Sequence, residues 1–292
     1  MNTDKYIKLH MGQSFIPMEE IYVSEKNEKN GKVIIFDLDE TIGSFSDFYI
    51  LWKTIHHHNP TKIVDFNALL DLYPEFLRHG ILHILEFLYY KKQKGECSQM
   101  YIYTNNQCES SWVQNIVHYI ECKIVPKNSN KLFDQIIQAF KIGNKQIELK
   151  RSTNAKTHSD FIKCTLLPKT TEICFIDNSF FPKMCGQRIF YIQPRSYMHY
   201  LRTDEIIDRF ISSDLFQQLD YVGDCFESVL YESFLENQSI LNTIVLEKRL
   251  ETDILISQKM IYYIREFFYL YSRKIKTRKI KQKIGKFTRK KM

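Results

Sequence analysis

The sequence predicts an α/β layer sandwich built on a mainly parallel sheet. Four short apolar runs have the length and composition of strands, and segments with helical spacing separate them. Strands that alternate with helices are typical of a parallel sheet whose faces are covered by helices. Hydrophobic residues make up 44% of the 292 residues and charged residues 26%, the balance of a folded globular chain. The length suits one large domain or two modest ones.

The first part of the chain predicts a polar lead-in, one strand and several helices. Residues 1–31 form an N-terminal extension that ends in a loop, and "KVIIF" at 32–36 suits a strand covered on both faces. Two short helical pieces, each closed by a proline, make an insertion at about 42–77. The stretch 78–94 has helically spaced apolar residues and ends in lysines, which suits the negative end of a helix.

Three more strands are predicted at "SQMYIYTNN" (98–106), "TEICFIDNS" (171–179) and "QRIFYIQP" (187–194). Between the first two of these, four elements are expected in chain order: a helix at "SSWVQNIVHYI" (110–120), a short strand at "CKIV" (122–125), a helix around "LFDQIIQAF" (132–140) and a helix within "KTHSDFIKCTLLP" (156–168). Together with the first strand, these elements give the alternation on which the fold class rests.

The C-terminal part divides into a helical region at 203–272 and a basic tail at 273–292. The tail carries eleven Lys or Arg and no acid, which leaves 30 basic against 34 acidic residues in the rest of the chain. A block of like charge repels itself and buries nothing, so a disordered, solvated tail is expected. The alternative is an electrostatic tether that contacts nucleic acid or an anionic surface.

The cysteines and the termini predict a cytoplasmic protein. Seven cysteines are scattered without a CxxC pair, which favours reduced thiols over a disulfide framework or a zinc site. The N-terminus is too polar for a signal peptide. A membrane span needs about 20 largely apolar residues, and charged residues interrupt the most apolar window.

Three of the predicted strands end in polar runs: "DLDET" at 37–41, "TNN" at 104–106 and "DNS" at 177–179. Ligands bind at the carboxyl ends of parallel strands, so neighbouring tips would share one pocket. Carboxylate and amide oxygens suit Mg²⁺, and the cation offsets the repulsion between close acids. The pattern therefore predicts phosphoryl transfer, in which one carboxylate attacks phosphorus while a lysine and the metal neutralise its oxygens.

At these positions the chain resembles a known family. "FDLDETIG", "IYTN" and "FIDNS" resemble three motifs of the haloacid dehalogenase (HAD) superfamily, in the same order and separated by 67 and 73 residues. The "DLDET" and "DNS" forms are most similar to the phosphatases that act on the C-terminal domain of RNA polymerase II. The resemblance covers about residues 32–195. It implies a HAD-like phosphatase domain at 32–202, a Rossmann-like three-layer sandwich with a small insertion cap.

The resemblance also implies roles for the acids. Asp37 is expected to be the nucleophile that forms a phospho-aspartate, and Asp39 the general acid and later the base. The Mg²⁺ cofactor is expected on Asp37, Asp177 and Asn178 and on the backbone carbonyl of Asp39. These assignments follow from the resemblance and are carried over position by position.

Phosphate binding is expected from Thr104, from Asn105 beside it and from one lysine. Two lysines compete for that role. Lys156 stands just before a predicted helix, 21 residues ahead of Asp177, whereas Lys163 lies inside that helix and only 14 residues ahead. Lys156 is preferred, and Lys163 is the alternative.

The predicted function is a Mg²⁺-dependent phosphomonoester hydrolase with a phosphoprotein substrate carrying phosphoserine or phosphothreonine. After "DLDET" the chain departs from the polymerase-directed enzymes and enters its insertion. There it is more similar to versions encoded by large DNA viruses, as its richness in Lys, Ile, Asn and Tyr also suggests. One alternative is a phosphatase of nucleic-acid 3′ ends, with the tail holding the polyanion. The other is a non-catalytic scaffold that only binds a partner.

Overall fold

The computed structural model describes residues 5–16, 31–59, 64–127, 129–219, 223–237 and 246–272. Within these ranges, six strands form the central sheet, in the spatial order β1 (Ile7–Met11), β9 (Ile189–Pro194), β8 (Glu172–Ile176), β3 (Lys32–Phe36), β4 (Gln99–Tyr103) and β5 (Gln135–Ile137). Two small pairs lie apart from it: β2 (Phe15–Ile16) with β10 (Tyr271–Ser272), and β6 (Lys141–Ile142) with β7 (Lys145–Gln146).

The strand order reverses at β3. The chain runs from β3 outward through β4 to β5, and then crosses to the other side of β3 to form β8 and β9. These five strands are parallel, and β1 closes the edge antiparallel to β9. The gap between the carboxyl ends of β3 and its neighbours is therefore a topological switch point, where open parallel sheets bind ligands.

The two faces of the sheet bury different cores. Along β3 the side chains alternate, so Ile34 and Phe36 enter one core while Val33 and Ile35 enter the other. In the part of the chain that the structure describes, eight helices share the larger core: α1 (Ser46–His58), α2 (Phe66–Asp71), α3 (Ile81–Gln93), α4 (Ser110–Ile124), α6 (Thr203–Ile211), α7 (Asp214–Gln217), α8 (Gly223–Glu236) and α9 (Leu246–Tyr269). The smaller core is closed by α5 (His158–Thr165) and a 3₁₀ turn at Pro182–Met184.

The segment expected as an insertion cap contributes to the larger core. In α1, Phe48 and Leu51 are fully buried, and in α2 Leu69 and Leu70 are fully buried. Helix α1 packs against α8, and α2 packs against α4. A 3₁₀ turn at Pro74–Phe76 then leads the chain back toward the sheet.

The C-terminal helix α9 docks near the start of β3 through Lys32. The ammonium of Lys32 donates to the carbonyl oxygens of Phe267, in the last turn of α9, and of Leu270, the residue after the helix. A cation at this end of a helix satisfies free carbonyl groups and matches the helix dipole. No helix in the described part of the chain is both long enough and apolar enough to cross a membrane.

The predicted α/β sandwich with a mainly parallel sheet is confirmed, but three local predictions are wrong. "CKIV" continues α4 to Ile124 instead of forming a strand. "LFDQIIQAF" supplies β5, because residues 135–137 pair with the edge of β4 and this pairing overrides the helical spacing. Residues 7–11, expected within a polar extension, form the edge strand β1. The basic tail 273–292 and residues 17–30 lie outside the described ranges.

Candidate functional site

Three of the predicted site residues lie side by side because each continues the ladder of its strand by one residue. The backbone N–H of Asp37 donates to Ile176 O at 2.9 Å, that of Thr104 to Ile137 O at 3.0 Å, and that of Asp177 to Ile192 O at 3.2 Å. Since β4 and β8 flank β3, these bonds bring the tips of the three central strands together at the switch point. The three strand tips are therefore neighbours at one edge of the sheet, as the sequence predicts.

Lys156 bridges the two buried acids. Its ammonium donates to Asp37 Oδ1 and, at 2.6 Å, to Asp177 Oδ2, and the side chains of all three residues are at most 9% exposed. Burial opposes the lysine charge, but the two carboxylates outweigh it and raise the pKa of Lys156 above its ordinary value. Burial and Asp37 in turn raise the pKa of Asp177, against the opposing effect of Lys156.

The geometry separates the two candidate lysines. Lys156 directly precedes the N-cap of α5, where Thr157 Oγ1 accepts from the backbone N–H of Asp160 at 3.0 Å. The backbone N–H of Thr157 donates to the hydroxyl of Tyr103 at 3.2 Å, which fixes this loop to β4. Lys163, one turn into α5, is 56% exposed and lies 3.4 Å from Asp160. Only Lys156 of the two reaches the acids.

Asp39 stands beyond the fully buried Leu38 and has a different environment from Asp37. Both of its carboxylate oxygens accept from the side-chain amide of Asn106, at 3.1 and 3.0 Å. Burial and the neighbouring Asp37 raise the pKa of Asp39 to about 6. A carboxyl group with a pKa close to neutrality is suited to both donating and accepting a proton.

The turn that carries Asp39 is held by a buried arginine. Glu40 adopts a left-handed backbone conformation at φ 59°, which costs a non-glycine residue roughly 1–2 kcal/mol. Arg78, 1% exposed, donates to the carbonyl oxygens of Glu40 and Thr41 at 2.6 Å each. The backbone N–H of Tyr197 also donates to Glu40 O at 2.8 Å. These bonds stabilise a turn that its own residues disfavour.

Thr41 links Asp37 to Asn178. Its hydroxyl lies 3.0 Å from Asp37 Oδ2 and 2.9 Å from Asn178 Oδ1, and it accepts from the backbone N–H of Asn178 at 3.0 Å. The side-chain NH₂ of Asn178 donates to Glu40 Oε2 and Ser196 Oγ. The amide oxygen expected to bind metal therefore lies beside Asp37 and faces the Thr41 hydroxyl.

The tip of β4 presents Thr104 and Asn105 beside the acids. Thr104 is fully buried, and its hydroxyl accepts from the backbone N–H of Asn106 at 3.0 Å. Asn105 is half-buried, and its side-chain oxygen accepts from Arg151 at 2.7 Å. Asn106 and Thr41 lie in the polar runs "TNN" and "DLDET", but the sequence assigns no role to either. Arg151 and Arg78 lie outside these runs, so no strand tip or motif marks them.

The acids do not form a preassembled cage of three metal-binding side chains. Among the residues that the structure describes, no three His, Cys, Asp or Glu side chains cluster closely enough to hold a metal ion. Mg²⁺ is commonly bound by one or two carboxylates together with water and substrate phosphate oxygens. Asp37, Asp177 and the nearby amide oxygen of Asn178 are hard oxygen donors of that kind. The donor set therefore fits Mg²⁺ in its chemistry.

A separate cavity of about 340 Å³ lies between the start of α3, the segment around Tyr197 and helix α9. Its lining includes Arg78, His79, Tyr197 and Asp253 and none of the predicted site residues. It meets the site through Arg78, whose guanidinium holds the turn at residues 40–41, and through Tyr197, whose backbone N–H donates to Glu40 O. The chemistry of the acids is thus located at the strand tips and not in this cavity.

Comparison with protein-family models, curated proteins and solved structures finds no match for the chain. A function for the chain therefore depends on the geometry and chemistry of its own residues.

Proposed function

We propose that the chain is a Mg²⁺-dependent phosphomonoester hydrolase that uses Asp37 as its nucleophile. One observation carries the proposal: a fully buried lysine bridges Asp37 and Asp177 at the switch point, and Asp39, with its raised pKa, lies beside them. A buried group of charges is expensive for a fold to maintain, so this arrangement is better explained by binding and chemistry than by stability.

In the first step a carboxylate oxygen of Asp37 attacks the substrate phosphorus. The bond between phosphorus and the ester oxygen breaks, and protonated Asp39 donates its proton to that leaving oxygen. Lys156 neutralises negative charge on the phosphoryl oxygens, as a fixed cation in a water-poor site does effectively. The products are a free alcohol and a phosphoryl group bound to Asp37.

In the second step water releases the phosphoryl group. The Asp39 carboxylate accepts a proton from the water as the water oxygen attacks phosphorus, and the bond between phosphorus and the Asp37 oxygen breaks. Inorganic phosphate leaves, Asp37 is a carboxylate again, and Asp39 is protonated for the next turnover. The pKa of about 6 for Asp39 is compatible with both directions of proton transfer.

Mg²⁺ would be held by Asp37, Asp177, the amide oxygen of Asn178 and the backbone carbonyl of Asp39. When bound, it supplies positive charge that offsets the charge of the phosphoryl oxygens. Thr41 and Ser179 contribute from the protein side: the Thr41 hydroxyl faces Asp37 Oδ2, and the backbone N–H of Ser179 donates to Asp177 Oδ1 at 2.8 Å. These bonds orient the two carboxylates.

The proposed substrate is a phosphoserine or phosphothreonine side chain of a protein. The rim of the site is formed by exposed residues on separate loops: Glu40, Asn154, Ser179 and Ser196. Loop residues exposed in this way suit a substrate in which a phosphorylated side chain projects from a large molecule. The similarity of "DLDET" and "DNS" to phosphatases of a polypeptide substrate supports the same choice.

The test is hydrolysis of an aryl phosphate and of a phosphoserine peptide, with Mg²⁺ and with a chelator. The wild type should turn over both only with metal, and Asp37→Asn should fall to background. Asp208→Asn, at an exposed position on α6, makes the same change of charge and should retain activity. A fully active Asp37→Asn variant, or undiminished turnover in chelator, would rule out the proposed mechanism.

A further inference from the structure

Buried Arg151 joins the tip of β4 to the loop that carries Lys156. Its Nη1 donates to the carbonyl oxygens of Thr104 and Gln138, at 2.9 and 2.7 Å. Its Nη2 donates to Asn105 Oδ1 at 2.7 Å and to Asn154 O at 3.0 Å. The guanidinium also lies over the ring of Tyr103, 4.8 Å from its centroid. One planar group thus contacts both the tip of β4, where Thr104 and Asn105 lie, and the loop that leads to Lys156.

We propose that Arg151 is a positioning residue that fixes the side-chain amide of Asn105 so that its NH₂ group donates to a phosphoryl oxygen. The proposal rests on the proposed function, since it concerns the same phosphate. It specifies which group of Asn105 donates to the phosphate, and it names the residue that holds that group in place.

The direction of the amide follows from the chemistry of its partner. An asparagine side chain has one acceptor oxygen and one donor NH₂, whereas a guanidinium has donors only. The oxygen of Asn105 must therefore face Arg151, and the NH₂ points away from it. Within the described ranges, Asn105 Nδ2 makes no hydrogen bond to the protein, and Asn105 is only half-buried. Its two N–H groups are free for an anion next to Thr104.

Arginine is required because one rigid group makes four hydrogen bonds. Lysine at this position would bring the charge without the planar fork, and it could not hold the Thr104 carbonyl, the Asn105 oxygen and the Asn154 carbonyl together. In Arg151→Lys the amide of Asn105 would be free to turn. The loop through Asn154 would also lose one of its attachments two residues before Lys156.

Two variants test the Asn105 amide and the Arg151 guanidinium separately. Asn105→Asp keeps an oxygen toward Arg151, so its melting temperature should not fall, but it replaces the NH₂ donor by a second anionic oxygen. We expect the inhibition constant of inorganic phosphate and the KM for an aryl phosphate to rise about tenfold or more, the loss expected for one hydrogen bond to a charged group. Arg151→Lys should raise both in the same direction, and kcat should change less than KM.

Asn144→Asp is the matched control for Asn105→Asp. It adds the same negative charge at an exposed residue in the turn between β6 and β7, which makes no hydrogen bond to the described residues of the site. Its phosphate inhibition constant should stay within about twofold of the wild-type value, because an exposed charge is largely screened. If the wild type hydrolyses the aryl phosphate and Asn105→Asp binds phosphate equally well, the positioning role is excluded and the phosphatase proposal stands.

A spectroscopic measurement covers the case in which the wild type hydrolyses nothing. The side-chain NH₂ resonances of Asn105, assigned by their loss in Asn105→Asp, would be followed by ¹⁵N NMR during titration with inorganic phosphate. Shifts in the wild type that are lost in Arg151→Lys would support the positioning role even though the phosphatase proposal had failed. Wild-type resonances that do not respond to phosphate would overturn the positioning role.

Discussion

Replacement of Lys156 by methionine is the most direct perturbation of the site. Methionine nearly matches the lysine side chain in length and removes only the ammonium group. In the wild type that ammonium donates to Asp37 and Asp177, and all three side chains are at most 9% exposed. The variant therefore leaves two carboxylates close together and buried, without their shared cation.

The expected cost is large. Removal of one partner from a buried ion pair typically destabilises a protein by about 3–5 kcal/mol, because the remaining charge stays desolvated. Total stabilities of single domains are about 5–15 kcal/mol, so the variant should lose a substantial fraction of its free energy of unfolding. Turnover should fall by about 10²-fold or more, as it does when one charge-stabilising donor is removed from an active site.

The loss of stability in Lys156→Met should also depend on pH, and the carboxylates that remain determine the direction of this dependence. Lys156 lowers the pKa of Asp177, which burial already raises, so without the lysine this pKa rises further above its value in the unfolded chain, about 3.9. The folded state then binds more protons than the unfolded state above that pH, so its stability falls as pH rises. The deficit relative to the wild type should therefore be smaller at pH 5 than at pH 8.

Urea unfolding at pH 5 and pH 8 measures this effect, and Lys163→Met is the matched control. Lys163 is 56% exposed, and its ion pair with Asp160 is long, at 3.4 Å. Removal of the Lys163 ammonium should therefore cost less than about 1 kcal/mol of stability at either pH. The reasoning would be refuted by a Lys156→Met variant that loses no more stability than Lys163→Met. Retention of wild-type turnover by Lys156→Met would equally refute the proposed role of the ammonium.

Three further predictions concern neighbouring groups. Burial and Asp37 raise the pKa of Asp39 to about 6, so the proton-donating form of Asp39 declines above that pH. The turnover ratio of an alkyl phosphate to p-nitrophenyl phosphate should therefore fall from pH 6 to 8, because the nitrophenyl leaving group needs no proton. A constant ratio would exclude Asp39 as the acid. Thr41→Val should lower the free energy of unfolding by about 1–3 kcal/mol in urea, because the buried Thr41 hydroxyl bonds Asp37 and Asn178. Thr41→Ser should restore most of that loss, and a valine variant as stable as the wild type would contradict the role of the hydroxyl. Burial lowers the pKa of Lys32 to about 8, so between pH 8 and about 10.5 the unfolded chain holds a proton that the folded chain has lost. The contribution of Lys32 to the free energy of unfolding should therefore rise with pH across that window. A Lys32→Met variant should lack that rise, and an unchanged pH dependence would count against the buried contact with α9.

The sheet interior could be predicted because its signal is local. "KVIIF", "QMYIY" and "EICFI" are short apolar runs that end in polar residues, and each forms a central parallel strand. Strands covered on both faces need continuous apolar sequence, so composition alone marks them. The polar residues that follow then mark the carboxyl edge of the sheet, which is why Asp37, Thr104 and Asp177 could be named in advance.

The edges of the sheet could not be predicted in the same way. β1 contains Lys8 and His10 and buries only Ile7 fully, and β5 buries only Ile137 fully. Each edge strand exists because a neighbour offers backbone partners: β9 pairs with β1 over residues 7–11, and β4 pairs with β5 over residues 135–137. Pairing between distant segments leaves no periodic signal in either one.

The supporting residues of the site were missed for a related reason. Arg78 and Arg151 act mainly through backbone carbonyl oxygens, which every residue possesses, so no partner residue type points to them. Asn105 and Asn106 are adjacent, so the sequence does not indicate which of the two side chains reaches Asp39. That contact depends on how the chain turns after β4. Lys156 could be preferred over Lys163 only by its place before a helix, and its contact with both acids required the fold.

The cost of the buried charges bears on why this chain keeps them. Well-packed apolar residues can often replace a buried ion pair or triad without loss of stability, so Asp37, Lys156 and Asp177 are not needed to hold the sheet together. The surrounding strands are fully buried and supply that stability without them. The charges instead stand at the one edge where the strand order reverses, and two further arginines, each at most 2% exposed, brace the loops around them. We therefore infer that the desolvated charges at this edge serve the proposed phosphomonoester hydrolysis and not the stability of the sheet.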